Sequence, residues 1–388
     1  MKRFISLFVG CLALSATSYA ADVETEATEA ASEPTAEATA EAAPQEKSNF
    51  KEFLDKMPVK ISGYLQTGWN FTHNKNASSS SFQAKRLRLL ADGKVSDNID
   101  FRLQIEAFNG IAGSTNGNGQ KNIQVMDAFA TWKINPAFKI RFGQFYTPLG
   151  YENYDISPAT LETVDFSNIV YRMACRNPYE YNFVDYGRDL GIMFMGDLGD
   201  SGQGFKYFHY DVALTNGSIP CKDDRNKSKD IYASVTLRPI KNFNVKATVN
   251  WGEYSTQALA GGNGVGEAGS KYNSMTRFVG GAWYNDPNGF DVRGEYGLLR
   301  GGSYAKEDGA YVLVGYHAGK FLPLVRWDMY NDKVNTTTTN NYNRILVGCT
   351  YQLCKNVKFQ INYGHFMYDD EVAIDKSEQI QIMGLFKF

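Results

Sequence analysis

The 388-residue chain holds few residues suited to covalent or metal chemistry, and their spacing is unhelpful to either. Four histidines, His73, His209, His317 and His365, stand far apart, and no Cys-x-x-Cys or Cys/His spacing suggests zinc. No P-loop, H-E-x-x-H or G-x-S-x-G pattern occurs. Gly264–Gly269 matches G-x-G-x-x-G but lacks the strand before and the helix after that dinucleotide binding needs, so it reads as a flexible loop. His209 and Asp211 sit two residues apart on one strand face. That is a weak acid–base hint, and a water-lined wall is the simpler reading. No catalytic residue, metal, cofactor or nucleic-acid partner is expected.

The richer chemistry is ionic. Arg86, Arg88, Arg102, Lys139, Arg141, Lys246, Arg293, Arg326, Arg344 and Lys358 fall on the polar faces of alternating segments, together with Asp100, Glu106, Asp127, Glu295 and Asp328. A face charged in this way cannot be a dry core, because burying unpaired charge is too costly. It is expected to line water, where basic rings favour anions and acidic rings favour cations. Pairing along the wall, Arg293 with Glu295 or Arg326 with Asp328, would cancel much of that selectivity.

The elements that carry these charges have period two. Phe243, Val245, Ala247, Val249 and Trp251 alternate with Asn244, Lys246, Thr248 and Asn250; Val59–Thr72, Ile99–Phe108 and Val357–Gly364 repeat the pattern. A soluble sandwich also alternates, but three features favour a membrane barrel. Tight turns at Ser96–Asn98, Asn135–Ala137, Pro239–Asn242, Asp286–Gly289, Ala318–Lys320 and Cys354–Asn356 take turns with long polar connections, such as His73–Ser81 and Gly150–Gly187. About sixteen strands fit between Val59 and Phe388, an even number. The last segment alternates up to Phe388, as a strand that closes on the first would. The expected fold is all-β, a transmembrane antiparallel barrel of about 16 strands.

Lys2 and Arg3, the apolar stretch Phe4–Leu14 and Ser18-Tyr19-Ala20 read as a signal peptide over residues 1–20. A lipoprotein reading through Cys11 leaves almost no apolar region before the cysteine. Residues 21–57 read as an acidic disordered tail and short linker, placed in the periplasm, and 58–388 as the barrel. Without Lys2 and Arg3 there are 38 basic residues; without the eight tail carboxylates there are 34 acidic ones, so the barrel portion is near +4. Gly150–Asp189 leans the other way, with seven carboxylates against three arginines. Cys349 and Cys354 are too far apart along a strand to bridge, whereas Cys175 and Cys221 either pair or stay free.

The segment Lys139–Glu152, KIRFGQFYTPLGYE, is preceded by Met126-Asp127-Ala128-Phe129 and followed after a long loop by Gly187-Arg188-Asp189-Leu190-Gly191. This set resembles the phosphate-selective porin O and P family, bacterial outer-membrane porins. The resemblance implies sixteen strands, a homotrimer, and a lumen whose inner-wall arginines and lysines conduct small anions such as phosphate. Arg141 and Arg188 lie in the matching motifs. Glu152, Asp165, Arg172 and Arg176 are the constriction-loop candidates. Phe388 resembles the terminal aromatic recognised by the barrel-assembly machinery. The function expected is passive diffusion of small polar solutes and ions across the outer membrane, anion- or phosphate-preferring. The alternative is a non-conducting barrel that anchors loops for adhesion, with an outer-membrane enzyme third.

Overall fold

The computed structural model describes residues 59–107, 123–174, 187–217, 221, 227–255, 272–302, 305–334, 341–368 and 376–388. Sixteen strands follow in order: β1 (Val59–Asn74), β2 (Ser78–Ser96), β3 (Ile99–Glu106), β4 (Gln124–Asn135), β5 (Phe138–Tyr146), β6 (Arg188–Asp200), β7 (Lys206–Thr215), β8 (Asp230–Ile240), β9 (Phe243–Ser255), β10 (Tyr272–Asn285), β11 (Phe290–Gly301), β12 (Ala305–Tyr316), β13 (Phe321–Asp332), β14 (Tyr342–Cys354), β15 (Val357–Tyr368) and β16 (Lys376–Lys387). Each pairs antiparallel with its sequence neighbours, and β1 pairs with β16, so the sheet is a closed barrel. At the seam Phe388 and Gly63 exchange two backbone hydrogen bonds of 3.0 Å. A Cβ at position 63 would run into the Phe388 ring and the Arg88 carbonyl, so glycine permits this close approach.

Alternation explains the two faces. On β13, Leu322, Leu324, Arg326, Asp328 and Tyr330 are buried inside, while Phe321, Val325 and Trp327 are exposed outside. The outer belt is apolar because it faces hydrocarbon, not water. Near the short turns this belt ends in aromatic pairs across neighbouring strands: Phe290 with Tyr316 at 5.1 Å, Phe321 with Tyr351 at 4.8 Å and Phe359 with Phe386 at 6.2 Å between ring centroids. Amphipathic rings at that level form the girdle expected at a membrane–water boundary. No helix among the described residues is long and apolar enough to cross a membrane.

Two connections differ from the sequence expectation. Ser78–Ser81, expected in a long polar loop, belong to β2, so the β1–β2 hairpin turns within 75–77. Serine on both faces carries no alternation signal. The turn at 201–205 between β6 and β7 was not anticipated. The signal-peptide and tail residues, the glycine-rich Gly264–Gly269 and Cys175 lie outside the described residues. Cys349 and Cys354 are free thiols.

Candidate functional site: a lumen narrowed by one loop

The strand-to-loop exit after β5 is built by its motif. Gly143 has φ +118°, and a Cβ there would meet the Ala128 carbonyl oxygen, which leaves glycine as the unstrained residue. The Gln144 amide donates to the Val125 and Met126 carbonyls at 2.8 and 2.7 Å, where a one-residue bulge at Met126 shifts the β3–β4 register. The chain then enters the lumen, forms the short helix α1 (Tyr151–Tyr154) and, further on, one wide helical turn at Ile169–Ala174.

The wall grips this loop at three places. At the first, Glu295 accepts the backbone N–H groups of Tyr151 and Glu152 at 2.5 and 3.1 Å, and Tyr151 stacks on Trp283 at 3.7 Å. Lys246 pairs with Asp155 at 2.7 Å, and the Tyr154 hydroxyl donates to Asp211 at 3.0 Å. Burial, with Asp211 beside it, pushes the Tyr154 phenol well above its ordinary value, so it remains a donor.

At the second, Arg326 donates to Thr163 Oγ1 and to the carbonyls of Asp165 and Phe166 at 3.0, 2.9 and 3.2 Å. Lys358 and Gln360 donate to the Leu161 carbonyl at 2.6 and 2.9 Å, Thr350 to that of Glu162 at 2.6 Å, and Arg86 to that of Val164 at 3.3 Å. Lys85 pairs with Asp165, and Arg293 with Glu162 at 2.7 Å. Burial alone would raise both carboxyls. Lys85 and Arg86 beside Asp165, and Arg293 beside Glu162, outweigh it and hold both below the usual carboxylate range.

At the third, Asn168 donates to the Met329 carbonyl and Arg277 to that of Met173 at 2.7 Å. The guanidinium of Arg172 lies 5.1 Å from the Tyr330 ring centre. Ile169 and Met173 pack into a cluster with Val279, Tyr311 and Tyr330.

These contacts revise the expected roles. Arg86, Arg293, Arg326 and Lys358, expected to line open water, are buried against the loop and hold it. Lumenal charge need not mean water when a second segment fills the lumen and brings carbonyls and carboxylates of its own. Lys246 is buried on Asp155, and Arg344 on Asp328 at 2.8 Å. Arg326 pairs with Asp328 at 2.9 Å as anticipated, but Arg293 bonds Glu162 rather than Glu295, which is occupied by α1. Glu152 is fully buried, 3.5 Å from Arg293 and 3.9 Å from Arg326. Arg176 lies outside the described residues. The sequence reading missed Lys85, Arg277, Trp283 and Thr350 on the wall and Asn168 on the loop. His209 holds Asp197 and Asp211 on its two ring nitrogens at 2.8 and 3.1 Å, an arrangement that leaves neither nitrogen for a nucleophile.

Beside the loop a cavity of about 360 Å³ remains between Tyr154–Ser157 and the wall of β1 to β5. Five charged residues line it: Arg88, Arg102, Asp127, Arg141 and Asp155. Four are balanced. Arg88 meets Glu106 at 2.8 Å, Arg102 meets Asp92 in a two-bond fork of 2.6 and 3.1 Å, Arg188 meets Asp127 at 2.5 Å, and Lys246 meets Asp155. Arg141 donates to Thr131 Oγ1 at 3.1 Å and lies 4.2 Å from the Phe129 ring centre, with no carboxylate partner among the described residues. The lining and its partners therefore sum to one positive charge, and Arg141 carries it.

The fold has solved counterparts. The anion-selective porin of Comamonas acidovorans is similar at TM-score 0.60 and 13% identity, over 85% of this chain and 99% of that one. OmpF of Salmonella typhi, solved with daunomycin, gives 0.60 and 16% over 85% and 97%, and the outer membrane channel DcaP of Acinetobacter baumannii 0.59 and 14% over 85% and 97%. No curated protein sequence matches the chain. Strand count, closure, lumenal loop and outer girdle define an outer-membrane porin barrel. Within that class, residues 59–178 match the family described as phosphate-selective porin O and P, so the resemblance carried by KIRFGQFYTPLGYE is borne out over β1 to β5 and the first part of the loop.

Proposed function

We propose that this porin passes small anions by diffusion through the cavity beside the loop, with Arg141 setting the sign of its preference. The charge account carries the reading. Every other charged group on the lining is neutralised within hydrogen-bond distance, so a passing ion meets a net field of one cation. The preference is modest and not specific for phosphate. A multiply charged oxyanion is held best by several unbalanced donors, and the lining offers one such guanidinium. That the Comamonas acidovorans porin is anion-selective is in keeping with this reading.

The wider proposal takes residues 1–20 as signal, 21–57 as a periplasmic tail and 58–388 as the pore-forming unit. It assembles as a homotrimer, with Phe388 presented to the barrel-assembly machinery. The test is a planar-bilayer recording of the purified protein across a potassium chloride gradient. Discrete steps with a reversal potential of anionic sign are expected. A cationic sign would overturn the preference, and a folded protein without steps would favour the adhesion anchor.

A further inference from the structure

Three aromatic rings on the cavity lining each carry a cation, Arg141 from the lining itself and Arg188 and Lys246 from behind it. The Arg141 guanidinium lies 4.2 Å from the Phe129 ring centre, Arg188 3.5 Å from that of Tyr146, and Lys246 4.5 Å from that of Tyr154. Phe129, Tyr146 and Tyr154 all line the cavity, with Leu90 and Ile156 adding aliphatic surface. A guanidinium is planar by delocalisation; a ring beneath it covers one face and leaves its N–H edge for a ligand, while the exposed part of the ring offers an apolar face. Arg141 is the member of this set whose edge is not committed to a carboxylate.

We propose that the preferred solutes are small organic monoanions with one carboxylate on a flat apolar or aromatic body, rather than inorganic oxyanions. The proposal rests on the channel reading above and names its solute class. The carboxylate takes the fork of Arg141, which matches it with two parallel hydrogen bonds. The body lies against Phe129 and the neighbouring tyrosines, covering apolar surface that a hydrated inorganic ion leaves wet. One unbalanced cation suits a monoanion and leaves a dianion with an uncompensated charge.

The experiment measures block of single-channel chloride current by added benzoate, acetate or inorganic phosphate, using the full-length protein in a planar bilayer at neutral pH. Benzoate is expected to bind about tenfold more tightly than acetate, the factor that covering part of one ring contributes. It is also expected to bind more tightly than phosphate. Phe129→Leu, which keeps apolar bulk and removes the ring, should bring the benzoate-to-acetate ratio towards one. Arg141→Lys, a point charge in place of a fork, should weaken block by both carboxylates. Equal block by benzoate and acetate in a channel that otherwise conducts overturns this inference alone. Tightest block by phosphate overturns it in favour of an oxyanion site. Absence of current from folded protein overturns the channel reading with it.

Discussion

Arg141→Glu turns the one uncompensated positive charge of the cavity into a negative one. An ion passing about 5 Å from a unit charge in a water-filled lumen feels about 0.8 kcal/mol, and screening at about 0.1 M salt reduces this to about 0.5 kcal/mol. In the native channel that energy lowers the barrier for an anion and raises it for a cation, so their permeabilities should differ by about fivefold. In Arg141→Glu the same ratio should invert, and Arg141→Gln should fall near unity. The assay is the zero-current potential in a tenfold salt gradient, recorded for the three proteins at equal pH. Arg141 is half-buried with a hydroxyl and a ring as partners, so the substitution leaves no buried carboxylate orphaned and the barrel should fold. A reversal potential that keeps its sign in Arg141→Glu would refute the charge account, and the preference would then have to reside in the vestibules.

The loop's anchors give three further expectations. Arg326→Ala removes the donor shared by Thr163, Asp165 and Phe166 and leaves Asp328 and Glu152 buried beside a missing charge; a cost of about 3–5 kcal/mol is expected, seen as a lower denaturation temperature and noisier open-channel current. Glu162 and Asp165 have depressed folded-state pKa values, so their stabilisation is present above the ordinary carboxylate range and is lost as pH falls through the depressed range. Open-channel noise should therefore stay flat from pH 7 to about pH 4 and rise below it, and a rise already at pH 6 would contradict this. Gly143→Ala should cost about 1–2 kcal/mol from its backbone conformation alone, with more from contact with the Ala128 carbonyl, and should lower refolding yield in detergent.

Alternation made the barrel legible because each membrane-spanning residue has one of two environments, and period two records which. Arg293, Arg326 and Lys358 were placed on the inner wall on that basis, and they are there. Alternation is blind to what faces them. Arg326 reaches a threonine 163 positions away, and Lys358 a carbonyl 197 positions away, so whether each meets water or loop is a tertiary fact. It also fails where the backbone breaks register. The shift between Gln66 and Thr67 places Lys85 and Arg86 side by side against the loop, while strict period two puts one of them in lipid. Arg277 alternates with Phe278, but Gly280-Gly281 beyond it dilutes the pattern. Gly143 and Gln144 stood out as a motif, yet their work of avoiding a steric clash and bonding two carbonyls at a bulge is visible only in three dimensions.

The wall holds the middle of its loop largely by main-chain carbonyls. Leu161, Glu162, Val164, Asp165 and Phe166 all present backbone oxygens to donors on the strands. A backbone oxygen is the same whichever residue carries it. Substitutions in this stretch that spare Glu162 and Asp165 therefore leave much of the clamp intact. At the other end, Tyr154–Ser157 borders the cavity with its side chains. The middle of the loop is thus held largely by atoms common to every residue, whereas at Tyr154 and Asp155 the side chains that border the cavity also anchor the loop. A lineage, or an engineer, can therefore vary the middle of the loop with little loss of grip, while a change at Tyr154 or Asp155 alters the cavity and loosens the loop together.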